Sequence, residues 1–177
     1  EQHGVVRGIA HCVGSLLLKP AHLTSVREWE ETLAVNLTSA FGVVRAAGKH
    51  MVKAGGSVVL VSSAAARTGL ANHEAIAAAK AGIIGLTRSA AATYASRGVR
   101  FNAVAPGLTA TGLTEQLLSN DASRKASVSM HALGRIGEPE DVAAAIVWLL
   151  QPGQDWITGQ VLGVDGGLAT VRPRARR

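Results

Sequence analysis

The chain has one cysteine, Cys12, in 177 residues, so no internal disulfide can form. Its neighbours in "VVRGIAHCV" are apolar, and this predicts a buried, unreactive thiol in a protein of a reducing, cytoplasmic setting. Aromatic residues make up 3% of the chain, which leaves few stacking platforms for single-stranded nucleic acid. The longest clean apolar run, Val142 to Leu150, is too short to cross a bilayer, and the first residues do not read as an export signal. No membrane association is expected. The first residue is Glu1 and the apolar pattern starts at Val5, so an N-terminal truncation is also expected.

Charge is scarcer than the net +6 implies, because four of the 18 basic residues lie in the last six positions. Without Arg172, Arg174, Arg176 and Arg177, 14 basic residues face 12 acidic ones. The tail "VRPRARR", residues 171–177, therefore reads as a basic, disordered terminus after a single domain over 1–170. No nucleic-acid partner is expected.

Four short β-branched segments are present: Val5 to Val13, Ser57 to Ser62, "VRFNAVAPG" and "GQVLGVDGG". Between them lie helical patterns. Ser25 and Glu28 form a capping-box spacing that opens a helix running to about His50, with a kink near Asn36. A second helix is predicted from about Asn72, as cap, to Ser96, with Gly98 as terminator. Glu138-Pro139 begins a third, with Val142, Ile146 and Leu149 on one face. Alternating apolar strands and helices imply a parallel α/β sheet covered by helices. Residues 109–131 read as a lid after the Pro106-Gly107 turn.

Ligands of such sheets bind beyond the carboxyl ends of the strands, where Gly14, Ser63 and Pro106-Gly107 fall. Asn36 and Lys80 are brought towards the same edge by helices. Alone, Lys80 would be a snorkelling surface lysine, Ser63 a turn residue and "DGG", Asp165 to Gly167, a plain turn. His11 and Cys12 cannot form a metal pair, since adjacent strand residues point to opposite faces, and no metal site is expected.

The set nevertheless resembles the short-chain dehydrogenase/reductase family, in the branch that includes 3-oxoacyl-acyl-carrier-protein reductases. "AVNLTSAF", "VVLVSS", "AAAKAGIIGLTRS", "RFNAVAPGLTAT" and "TGQVLGVDGG" match that family's motifs in order. The resemblance implies a Rossmann-like doubly wound parallel sheet, incomplete because the Gly-rich first part is not seen. It implies an NAD- or NADP-dependent oxidoreductase acting on a small carbonyl compound or secondary alcohol, with catalytic Asn36, Ser63 and Lys80. It places cofactor contacts at Gly14, Lys80, Pro106, Gly107, Thr109 and Thr111, and homo-oligomer contacts on the helices around 38–50 and 72–96. Gly82, Gly85 and the alanines between Ala75 and Ala92 fit close helix approach.

One departure stands out. Ile76 occupies the place where the family carries a proton-donating tyrosine, one turn before the lysine. The only tyrosine, Tyr94, lies 18 residues further along the helix, about 27 Å at 1.5 Å per residue. His73 shares a face with Ile76 and Lys80 at i, i+3, i+7 and is the nearest titratable group, although a histidine at a helix start is commonly just exposed or capping. Two readings therefore stand side by side: an oxidoreductase using His73 as a substitute catalytic residue, or a non-catalytic relative kept as an assembly or scaffold subunit.

Overall fold

The computed structural model describes residues 4–173; His3 and the start before it, and the tail from Arg174 onward, lie outside the described residues. Four strands, β1 (Gly8–His11), β2 (Gly56–Val61), β3 (Val99–Pro106) and β4 (Val161–Val164), form one all-parallel sheet in that order. Helices fill every connection: α1 (Val26–Leu33) and α2 (Ser39–His50), α3 (Glu74–Tyr94), then α4 (Glu115–Leu118), α5 (Asp121–Met130) and α6 (Pro139–Leu150). This is the α/β architecture expected from the alternation of apolar segments.

Strand periodicity sends alternate residues to two helical layers. Val58, Leu60, Val99 and Phe101 pack with Ala40, Val44, Ile83 and Ala90 of α2 and α3. On the opposite face Val59 and Val104 meet Ile146 and Leu149 of α6. The central strands are therefore wrapped on both sides, which is why their sequences read as continuous apolar runs.

Several boundaries differ from the sequence reading. β1 is four residues long and pairs with Ser57 to Leu60 of β2. Val5 and Val6 lie outside it and are exposed. The long helix starts at Glu74; Asn72 adopts a left-handed φ of 64° and His73 takes the N-cap position without a side-chain cap. Gly98, at φ 68°, ends the 3₁₀ turn that continues this helix, as its position implied. The Ser25/Glu28 capping box is present, and Glu138 and Asp141 form a second one around Pro139.

Small residues set how closely the layers approach. Gly82 is covered by Leu37, whose Cδ2 would lie 2.7 Å from an added Cβ, while Ala79 and Ala90 are buried inside the chain. Of the small residues expected to meet another helix, these three serve internal packing instead. At the base of β2, Gly56 has φ 150°, and an added Cβ would overlap the Arg7 carbonyl oxygen where β1 and β2 join. Gly56→Ala is expected to destabilise the fold by roughly 2–4 kcal/mol, from strained backbone and overpacking together, measured by urea denaturation.

Candidate active site at the carboxyl edge of the sheet

The helix that leaves Ser25 does not run straight. Asn36, fully buried, donates from Nδ2 to the Thr32 carbonyl at 2.9 Å. Around it the helix is wound as a π turn over Ala34–Thr38, with Ser39 N–H reaching back five residues to the Ala34 carbonyl. The distortion aims the Asn36 amide at the turn after β1. Its Oδ1 accepts from Ser15 N–H at 3.1 Å and its Nδ2 donates to Ser15 Oγ at 2.9 Å. The kink near Asn36 was legible; its cause was not.

Gly14 is where the elements converge. A Cβ added there would sit 3.0 Å from Asn36 Oδ1 and 3.2 Å from Lys80 Nζ, a fit so tight that both side chains would have to give by a few tenths of an ångström. Lys80 is 7% exposed and donates to the Val61 carbonyl at 3.0 Å. Ser62 Oγ donates to the Lys80 carbonyl at 2.8 Å, locking α3 to the end of β2. Ser63 Oγ accepts from Ala65 N–H at 3.1 Å, which leaves its hydroxyl hydrogen free to donate.

Burial pushes the Lys80 ammonium down to about 8, an effect that the nearby Cys12 sulfur opposes. His11, buried beside it, is also lowered, first by desolvation and then by the Lys80 charge. His11 Nδ1 has no hydrogen-bond partner among the described residues.

These groups border a cavity of about 700 Å³ lined by Gly14, Ser63, His73, Ile76, Lys80, Pro106, Gly107, Thr109 and Thr111. Every site residue predicted from the sequence except Asn36 is on its wall, and Asn36 reaches it through Ser15. Cys12 is exposed and also lines the cavity, contrary to the buried thiol expected, because the strand has ended and the chain is turning towards Gly14. Thr109 Oγ1 donates back to the Gly107 carbonyl at 3.3 Å, and Thr111 is exposed. Tyr94 packs against Phe101 in the core, with ring centroids 5.6 Å apart. Asp165 accepts from Gly167 and Ala169 N–H groups, so "DGG" is a turn held by its own carboxylate. No group of three or more metal-ligating side chains occurs among the described residues.

Sequence reading missed His131. It is 3% exposed; Nδ1 donates to the Ser127 carbonyl at 2.7 Å and Nε2 accepts from Leu108 N–H at 3.2 Å. It ties the end of α5 to the Pro106-Gly107 turn. No local pattern marks it, since its partner lies 23 residues away. The wall on the other side is held by Lys19, whose Nζ donates to both Glu28 carboxylate oxygens at 2.9 Å and whose N–H donates to the Asn72 carbonyl.

A parallel sheet wound on both faces, with polar groups from three elements meeting beyond its carboxyl edge, defines an open nucleotide-binding type of α/β domain. The sequence profile of a family described as Enoyl-(Acyl carrier protein) reductase matches residues 1–169. The 3-oxoacyl-[acyl-carrier-protein] reductase of Thermotoga maritima is 41% identical over 142 residues, covering 80% of this chain and 57% of that protein. A short-chain type dehydrogenase/reductase from Mycobacterium ulcerans superposes with a TM-score of 0.91 at 32% identity, over 97% of this chain and 63% of that one. A gluconate 5-dehydrogenase from Burkholderia cenocepacia, solved with NADP and tartrate, gives a TM-score of 0.92 at 26% identity, covering 97% and 68%. The chain belongs to the short-chain dehydrogenase/reductase family. It spans between 57% and 68% of the length of these three proteins.

The burial of Lys80 yields a stability prediction. Its value of about 8 in the fold lies below its ordinary 10.5, so between these pH values the unfolded chain holds more protons and stability rises with pH. The penalty for burying the ammonium is fully present below about pH 8. Lys80→Met, which keeps the apolar stem, should stabilise the chain at pH 7 by up to roughly 3 kcal/mol. Urea denaturation across pH 7 to 10 should show this advantage shrinking as the pH climbs.

Proposed function

We propose that this chain is part of an NAD- or NADP-dependent oxidoreductase that interconverts a small secondary alcohol and its carbonyl compound. The observation that carries the reading is the crowding of Asn36 Oδ1 and Lys80 Nζ around Gly14, at the rim of the cavity. Relatives solved with NADP support the cofactor class. The residues present suit its nicotinamide end: Gly14 leaves a cradle that a Cβ would fill, and Lys80 has two N–H groups beyond the one bonded to Val61. When bound, the cofactor would accept or supply hydride.

The chain's own residues account for the proton. His73 Nδ1 lies 2.7 Å from the Ala71 carbonyl, which can only accept, so Nδ1 carries the hydrogen. The neutral ring is left with Nε2 as a bare acceptor, suited to taking a proton from an alcohol; only the imidazolium could donate one to a carbonyl. With His73 in place of a tyrosine, its neutral ring serves as the base for alcohol oxidation. Ser63 supplies a hydroxyl donor to the substrate oxygen. Lys80 keeps positive charge beside the developing alkoxide, and Asn36 holds the Gly14-Ser15 turn against it.

Ile76 supports the second reading, a non-catalytic relative acting as a scaffold. It is 3% exposed and puts a branched hydrocarbon against the cavity where the family resemblance places a tyrosine. His73→Ala should lower alcohol oxidation by about 10²- to 10⁴-fold, and Ile76→Tyr should raise turnover by supplying a phenol beside Lys80. Unchanged turnover in His73→Ala, with activity arising only in Ile76→Tyr, selects the scaffold reading.

Self-association through α2 and α3 completes the proposal. Phe41 on α2 is 55% exposed, and Ala78, Ala81 and Gly85 on the outer side of α3 are open. These, not the buried Ala79 and Ala90, are the positions that a second copy could meet. Phe41→Glu and Ala81→Glu should each weaken association at least tenfold in sedimentation experiments. Unchanged sedimentation of both would remove this interface. The exposed, unpaired Cys12 suits a reducing, cytoplasmic compartment.

A further inference from the structure

We infer that the cavity beside Lys80 takes an uncharged, apolar ketone or secondary alcohol and discriminates against substrates that carry a carboxylate or phosphate. The inference rests on the oxidoreductase reading for the reaction, but the choice of ligand follows from the cavity wall alone. Leu16 and Leu18 come from the turn after β1, Leu70 precedes α3, Ile76 lies on it, and Leu117 and Met130 descend from α4 and α5. Among the described residues of the lining, Lys80 is the single lysine, and there is no arginine and no carboxylate.

Lys80 cannot serve as the missing anion partner. Its ammonium is at the reacting end, bonded to the Val61 carbonyl and crowded by Gly14 and Asn36. A substrate that places its oxygen there leaves the rest of its body against leucine and methionine. Arg135, on the wall of the neighbouring cavity, is held by Asp141 in a two-point ion pair at 2.6 and 2.8 Å. The lid hydroxyl of Thr114 is spent on the Thr109 carbonyl at 2.6 Å. An anion entering this wall would exchange its hydration for scattered hydroxyls with no cation beyond Lys80, whereas an alkyl chain gains burial.

The test uses a matched pair, 2-octanone and 7-oxooctanoate, which present the same methyl ketone with and without a terminal carboxylate. The chain has two methionines, Met130 on the cavity wall and Met51, fully buried in the core. With ¹³C-methyl methionine labelling, 2-octanone should shift the Met130 signal while Met51 stays fixed and reports an intact core. Half-saturation by 7-oxooctanoate should require at least a hundredfold higher concentration. Leu117→Arg, on a half-buried lid position, should narrow or reverse that ratio. Equal binding of the two ketones, or no Met130 shift with 2-octanone, overturns the inference. Parallel assays of dinucleotide-dependent turnover separate the two claims. Equal turnover of both ketones sinks the substrate class and leaves the oxidoreductase reading standing; selective binding without turnover does the reverse.

Discussion

The Asn36 side chain bonds the Thr32 carbonyl of its own helix and both the backbone and hydroxyl of Ser15, and the placement of the candidate site depends on that bridge. A regular α-helix from Val26 to His50 would satisfy its own backbone and leave the turn after β1 without a partner. Beside the π turn over Ala34–Thr38, the Asn36 amide donates to the Thr32 carbonyl and uses its remaining valences for Ser15. Gly14 is thereby drawn to within contact of both Asn36 and Lys80. Asn36 is fully buried, and each polar atom of its side chain is bonded, so the arrangement carries little desolvation penalty.

Lys80 presents the opposite balance. It is buried with one carbonyl partner, and its lowered proton affinity shows that the fold holds the charge at a disadvantage. Ser62 compensates by tying the helix backbone at this residue to the end of β2. The result is a cation whose position is fixed by the sheet and whose charge is exposed mainly to the cavity. A site of this kind is unfavourable for stability and suited to stabilising a developing negative charge.

The cavity walls come from segments far apart in sequence, and each is clamped separately. Lys19 and Glu28 hold the leucine-rich turn, and His131 holds the lid against Gly107. Ile76 belongs to the same surface. Its side chain extends the apolar lining where the family resemblance calls for a proton donor, and the imidazole of His73, oriented by Ala71, is the polar group left one turn away.

The sequence by itself determined the parallel α/β layering, the helix caps at Ser25 and Pro139, the αL stop at Gly98 and the face shared by His73, Ile76 and Lys80. These depend on periods of two and 3.6 residues and on single-residue backbone preferences, which are local. Only the tertiary structure decided how far β1 extends, because ladder partners belong to β2. The exposure of Cys12, the turning inward of Ala79, Ala90 and Gly82, and the role of His131 were decided in the same way. Each depends on which surface meets the residue from another part of the chain, and a burial or a hydrogen bond across 23 residues leaves no periodic trace in the segment that makes it.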